Sequence, residues 1–191
     1  NGEVRDLYLE MVKDFVLVLG DYRGSLGAHS IAVATWAARL GRKIGMGAED
    51  VRALHWAGIL HDLGKIAIDP KILNKVGRLT PQEYALIQRH PIVSARLVKG
   101  MNFLEREVPY ILHHHENFDG NGYPSRLKTE EIPVGARVLH LAEAWDSMTR
   151  PQPYRAPLSM DAAMSELKKG KGAQFDPEMT GPFMALVEAE A

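Results

Sequence analysis

The sequence contains no cysteine. That excludes a disulfide framework, a thiolate zinc site and a cysteine nucleophile. Charge of one sign is also missing: 23 Lys and Arg stand against 24 Asp and Glu, a formal net charge of −1. So balanced a chain gives no argument for a nucleic acid polymer, whose binders usually carry a basic face. No stretch approaches the roughly 18–20 consecutive apolar residues of a membrane span. No basic, apolar and small-residue run marks a secretory leader. Alternating apolar and polar residues of useful length are absent, as are repeats and low-complexity tracts. What is present is a globular composition, 46% hydrophobic and 25% charged over 191 residues, long enough to bury a core without staples. Histidine stands out: there are eight, five of them between His61 and His115.

The apolar residues follow the three-and-four spacing of helices. Val4, Leu7, Tyr8, Met11, Val12, Phe15, Val18 and Leu19 mark a first apolar face. It reads as a core helix or as the tail of a linker from an upstream domain. The chain opens on Asn1 rather than Met, which reads as a piece of a longer protein. Residues 1–20 are thus expected to be an N-terminal helix and residues 21–191 a single catalytic domain. A second helix is expected over about 28–42, and Glu49-Asp50 starts a third, since acids suit a helix N-terminus. Asp69-Pro70 reads as a turn. Thr80-Pro81-Gln82-Glu83 combines a capping residue, proline at the first helical position and an acid in the first turn. Pro91 perturbs or restarts that helix after His90. Asp119-Gly120-Asn121-Gly122 predicts a tight loop with positive φ at both glycines. Further helices are expected over about 134–148, 161–169 and 177–190. The class is all-α, a single domain of roughly eight helices.

The chemistry concentrates in a few histidines and carboxylates. His61-Asp62 closes an apolar helix, and Lys65 shares the face of His61. His29 begins a helix where packing does not require it, and His90 precedes a proline. His113-His114-His115-Glu116 places three imidazoles and an acid in an apolar context. Imidazole and carboxylate without thiolate favour Fe, Mn, Co, Ni or Zn over Ca or Mg. Several histidines with one carboxylate able to bridge suit a two-metal site, with ions about 3.5–4 Å apart that clamp a phosphoryl displacement. Metal binding also lowers the pKa of water, so no serine or cysteine nucleophile is needed.

These stretches resemble the HD-GYP family, a branch of the HD-domain metal-dependent phosphohydrolases. The matching segments are HDLGKIAIDPKILNKVGRLTPQE at 61–83, HP at 90–91, HHENFDGNGYP at 114–124 and FDP at 175–177. They occur in order between roughly residues 20 and 180. The resemblance implies a helical domain binding two, sometimes three, transition-metal ions, commonly iron or manganese. It implies hydrolysis of cyclic di-GMP to a linear dinucleotide or GMP by a hydroxide bridging the metals, or of a related cyclic GMP-AMP. It also implies a cytoplasmic setting, even where the whole protein is membrane-anchored. By the same resemblance His29, His61 and Asp62 match metal ligands, Asp62 bridging, and His90, His114 and His115 match ligands of the second ion. Lys65 matches the lysine at the scissile phosphate, where its charge would offset developing anionic charge. Gly122, Tyr123, Pro124 and Arg155 match substrate-side positions, with Asp119 and Gly120 shaping the loop. Glycines there would let backbone N–H groups approach phosphate oxygens.

Three positions depart from the family pattern. Glu143 stands where the late helix usually carries an aspartate ligand. Asp146, one turn on, could substitute for it, bind substrate or hydrogen-bond a ligand. Gln152 replaces an arginine before Pro-Tyr, removing a charge-assisted contact. Ser25 replaces the glutamate of three-metal members, favouring two metals. The departures leave room for two other readings. One is a weakened module that binds a cyclic dinucleotide or a partner such as a diguanylate cyclase. The other is an HD-type hydrolase of other nucleotides, against which the GYP loop counts. His55 and His140 read as packing or surface residues, His113 as a neighbour of the ligands, and Trp36, Trp56 and Trp145 as core. Phe118 is the better stacking candidate, and Lys168, Lys169 and Lys171 read as a solvated face.

Overall fold

The computed structural model describes residues 7–14, 16, 18, 26–151 and 156–190. Residues 7–14 are helical. Nine α-helices with defined bounds follow among the described residues: α1 Leu26–Lys43, α2 Ala48–Leu60, α3 Pro70–Leu73, α4 Pro81–Ile87, α5 His90–Lys99, α6 Glu107–His113, α7 Val134–Thr149, α8 Met160–Gly170 and α9 Pro177–Glu188. Short 3-10 turns occupy Leu63–Ala67 and Thr129–Glu131. Among the described residues no strand forms, only an isolated bridge between Lys171 and Phe175. No described helix is long and apolar enough to cross a membrane.

The local signals act as their chemistry dictates. Thr80 caps α4 through a complete capping box: its hydroxyl accepts the Glu83 N–H at 3.2 Å, and its own N–H donates to Glu83 Oε2 at 2.7 Å. Asp69-Pro70, expected as a turn, instead opens the one-turn helix α3. The Asp69 carboxylate accepts the Lys71 N–H at 2.8 Å, and the proline takes a position where no N–H is needed. α3 is thus a helix where a turn was expected.

The first helix buries a different face from the expected one. Leu7, Tyr8, Met11 and Val18 are exposed, whereas Leu9 and Val16 are buried with Val12 packed beside them. This segment is apolar on several sides, so spacing alone could not choose the stripe. Val4, Phe15 and Leu19 lie outside the described residues.

The core lies where α1, α2 and α7 meet. Gly58 makes the close approach of α2 to α1 possible, since a Cβ there would lie 2.5 Å from the Ala34 Cα. Phe183 of α9 is fully buried and meets the edges of Trp36 and Trp145 at centroid distances of 5.8 and 6.2 Å. Trp36, Trp56 and Trp145 therefore serve packing, as expected. With this core behind them, the ends of α2, α4 and α6 and the middle of α7 converge on one spot.

Candidate metal centre

Three histidines follow helix ends. His61 follows α2, His90 lies just past α4, and His114 follows α6. The last carbonyls of a helix have no partner within it, and each ring uses one. His61 Nδ1 donates to Gly58 O at 2.8 Å, His90 Nδ1 to Ile87 O at 2.7 Å, and His114 Nδ1 to Ile111 O at 2.6 Å. A carbonyl can only accept, so each Nδ1 carries the proton and each Nε2 presents a lone pair. The same helix terminus thus sets both the direction and the tautomer of the ring.

Those lone pairs converge. His90 Nε2 lies 3.4 Å from His114 Nε2 and 3.2 Å from Asp62 Oδ1. Asp62 Oδ2 stands 3.5 Å from His61 Nε2 and 3.8 Å from His29 Nε2. Two donor groups result, His61, Asp62, His114 and Glu143 in one and His90, His114 and His115 in the other, each with ligand atoms within 4.8 Å. His61 Nε2 and Asp62 Oδ1 are buried and have no hydrogen-bond partner. Buried lone pairs facing one another repel unless a cation lies among them, and an unpaired buried acceptor is costly. The residues therefore fit a transition-metal centre built from imidazole and carboxylate.

The electrostatics agree. Burial drives His61, His114 and His115 toward the neutral ring, His115 down to about 3. Neutral imidazole is the form a metal takes. Burial alone would raise the two carboxyls. For Asp62, Lys65 and the histidines outweigh it and hold the group well below the ordinary carboxylate range. For Glu143, His115 and His61 do the same, down to about 2. Lys65 Nζ donates to Asp62 Oδ2 at 2.6 Å. Burial disfavours the ammonium, but Asp62 and Glu143 more than compensate, so it stays charged.

Glu143 and Asp146 have separate positions. Glu143 Oε1 lies 3.7 Å from His115 Nε2, and Oε2 lies 4.0 Å from His114 Nε2. Asp146, expected at substrate or as a substitute ligand, is turned the other way. Its Oδ2 accepts His29 Nδ1 at 2.6 Å, and both its oxygens accept from Arg150. Of the roles open to it, the geometry is that of a hydrogen bond to a ligand candidate.

The loop after His115 covers one side. Tyr123 stacks on His115 with centroids 4.8 Å apart, and its N–H donates to His115 O at 3.1 Å. Burial pushes the Tyr123 phenol up, so it remains a hydroxyl donor. Glu116 Oε1 accepts the Ser125 N–H at 2.6 Å and closes the loop behind Pro124. Gly120 has the expected positive φ of 86°, but Gly122 does not have one. Gly122 is required for another reason: a Cβ there would lie 2.2 Å from Asn117 N and 2.5 Å from His115 O. Gly120 N–H is spent on Asn117 O at 2.8 Å rather than left for a phosphate. Phe118 is partly buried, and its backbone N–H donates to Gln174 O at 3.2 Å, which ties the loop to the turn before α9.

Arg155, Gln152 and Ser25 lie outside the described residues. Two residues near the centre escaped the sequence reading. His140, expected as a packing or surface residue, is buried behind His115, ring centroids 6.3 Å apart, with its Nε2 3.0 Å from the Gln174 amide. Its position three residues before Glu143 on α7 was the available signal. Arg150 is the other, four residues after Asp146.

An all-helical fold whose helix ends aim histidines at a central aspartate defines an HD-type domain. The sequence matches the HD domain family over residues 17–179. It is 32% identical, over 187 residues and 96% of its length, to a cyclic di-GMP phosphodiesterase of Thermotoga maritima, covering 50% of that protein. It is 30% identical, over 185 residues and 93% of its length, to 3'3'-cGAMP-specific phosphodiesterase 2 of Vibrio cholerae, covering 34% of it. Among solved structures, Bd1817, a HDG"Y"P protein from Bdellovibrio bacteriovorus, shares the fold with a TM-score of 0.69 at 18% identity, over 98% of this chain and 65% of that one. The chain belongs to the HD domain family. It spans half or less of the length of these curated relatives.

Proposed function

We propose that this domain is a metal-dependent phosphodiesterase that opens cyclic di-GMP to the linear dinucleotide or GMP. The observation that carries this reading is the buried set of facing lone pairs on His61, Asp62, His90 and His114, with the Lys65 ammonium on Asp62 and the Tyr123 loop at its side. The curated relatives' activities support the substrate class.

In this reading His29, His61, Asp62, His90, His114, His115 and Glu143 would hold two divalent ions, iron or manganese. Nickel, cobalt and zinc are compatible with the same ligands. Such ions, when bound, supply Lewis acidity and activation of water at neutral pH. The chain supplies the rest. Lys65 offsets charge gathering on the phosphoryl oxygens. Tyr123 offers its hydroxyl to the phosphodiester, and the Gly122-Tyr123-Pro124 backbone orients it. Arg155 contributes a basic contact from the segment after α7.

Glu143 favours an active enzyme over a weakened module, because its carboxylate reaches to within 3.7 and 4.0 Å of two ligand nitrogens despite the extra methylene. The messenger is intracellular, which supports a cytoplasmic site of action. Residues 1–20 would connect the catalytic domain, residues 21–191, to an input domain, and a diguanylate cyclase is a fitting partner.

The test is hydrolysis by purified protein loaded anaerobically with Fe²⁺ or Mn²⁺, followed by chromatography, with cyclic di-GMP and cyclic GMP-AMP in parallel. Linear product from cyclic di-GMP is expected. Turnover of cyclic GMP-AMP alone would move the substrate assignment, and turnover of neither would refute the enzyme.

A further inference from the structure

His61, His90 and His114 each take a carbonyl from a helix that is ending. His29 cannot. It lies in the first turn of α1, where the unpartnered backbone groups are N–H donors, not carbonyls. Its Nδ1–H must find an acceptor elsewhere, and it finds Asp146, 117 residues away on α7. A carboxylate with a free choice of rotamer would hold the ring loosely. This one has none: Arg150 Nε donates to Asp146 Oδ2 at 2.8 Å, and Arg150 Nη2 donates to Oδ1 at 2.9 Å. The same Nη2 donates to the carbonyl of Ala28, the residue before His29, at 3.1 Å. One guanidinium therefore fixes both the carboxylate and the backbone from which the ring projects. It sits at the C-cap of α7, with Pro151 next in sequence.

We infer that Arg150 is a positioning residue for the metal centre: through Asp146 it locks the His29 ring so that Nε2 faces Asp62. The inference rests on the proposed role of His29 as a ligand. Only a planar fork makes these contacts together, because an ammonium offers a single point charge.

The test is chelator competition for Mn²⁺ on the purified chain, with circular dichroism and melting to monitor the fold. Arg150→Gln should weaken Mn²⁺ binding about 10-fold, the lower end for loss of a ligand's orienting partner. Arg150→Lys should lose part of that factor, and carries the test if Arg150→Gln does not fold. In a His29→Ala background, Arg150→Gln should change the affinity no further. Arg137→Gln is the structural control. Arg137 also lies on α7, but its partner is Asp176 at the N-cap of α9, 2.5 Å away; breaking that pair should lower the melting temperature without moving Mn²⁺ affinity. Wild-type affinity in Arg150→Gln or Arg150→Lys would overturn the inference, as would an equal loss in the His29→Ala background. The readout needs no substrate. A wild type that binds Mn²⁺ but hydrolyses nothing refutes the proposed activity and leaves the role of Arg150 standing.

Discussion

Gly64 lies between Asp62 and Lys65, and replacing it with alanine should disorganise the centre without touching a ligand. A Cβ at this position would lie 2.3 Å from His90 O, 2.7 Å from Ser94 N and 2.9 Å from Ser94 Oγ. Two of these are backbone atoms and cannot rotate away. The first turn of α5 must retreat by about 1 Å to restore van der Waals contact, and it carries His90. The Gly64 N–H bond to Ser94 Oγ, at 2.7 Å, is strained by the same movement. Overpacking of this kind costs about 1–3 kcal/mol, or about 2–12 °C in melting temperature for a chain this size. The functional loss should exceed the stability loss, because metal geometry tolerates only about 0.2 Å and a 1 Å misplacement costs about 100-fold in rate. Melting, Mn²⁺ competition and turnover should be measured on one preparation. Gly100→Ala is the control: its φ of −68° suits any residue, and Leu97 O lies at an ordinary 3.4 Å from its Cβ position, so it should gain about 0.4–1 kcal/mol. Wild-type melting of Gly64→Ala would refute the close-approach argument. A lowered melting temperature with unchanged metal affinity would refute the claim that this contact places His90.

Lys65→Met should keep metal affinity near wild type while turnover falls about 100- to 1,000-fold, the loss of one charge-stabilising donor; an equal fall in metal binding would assign Lys65 to ligand orientation instead. Adding Mn²⁺ at about 100 times its Kd should stabilise the fold by about 2.7 kcal/mol, and a chelator should reverse the shift in a melting curve. Phe183→Ala removes a fully buried ring that meets Trp36 and Trp145. It should cost about 3–5 kcal/mol in denaturant unfolding, with metal affinity per folded molecule unchanged.

Much of the fold was legible because its signals are local. The Thr80 to Glu83 cap is written in four consecutive residues, and all its bonds form within them. The apolar stripe of the first helix is not of that kind. Leu7, Leu9, Met11 and Val12 ring it, and which of them is buried depends on what packs alongside. Tyr8 lies 6.4 Å from Phe103, a contact across 95 positions that spacing within the helix cannot encode. The one-turn helix α3 was hidden for the opposite reason: Asp-Pro opens turns and helices equally well, and a single turn leaves no periodicity to count.

The site divides along the same line. The identities of the donors could be read from a short alphabet, because imidazole and carboxylate in a cysteine-free chain leave few chemistries open. Their orientation could not, since it depends on which acceptor each Nδ1 meets. For His61, His90 and His114 that acceptor is three residues back, so helix boundaries come close to determining it. For His29 it is a carboxylate on another helix, and only the fold brings them together. Gly122 shows how a correct residue can be read for the wrong reason. Asn-Gly suggests a left-handed turn, yet the glycine is required because its Cα lies against the His115–Asn117 backbone. That packing holds Tyr123 over His115. A side chain at 122 would therefore displace the loop from the centre even if its backbone angles were fully permitted.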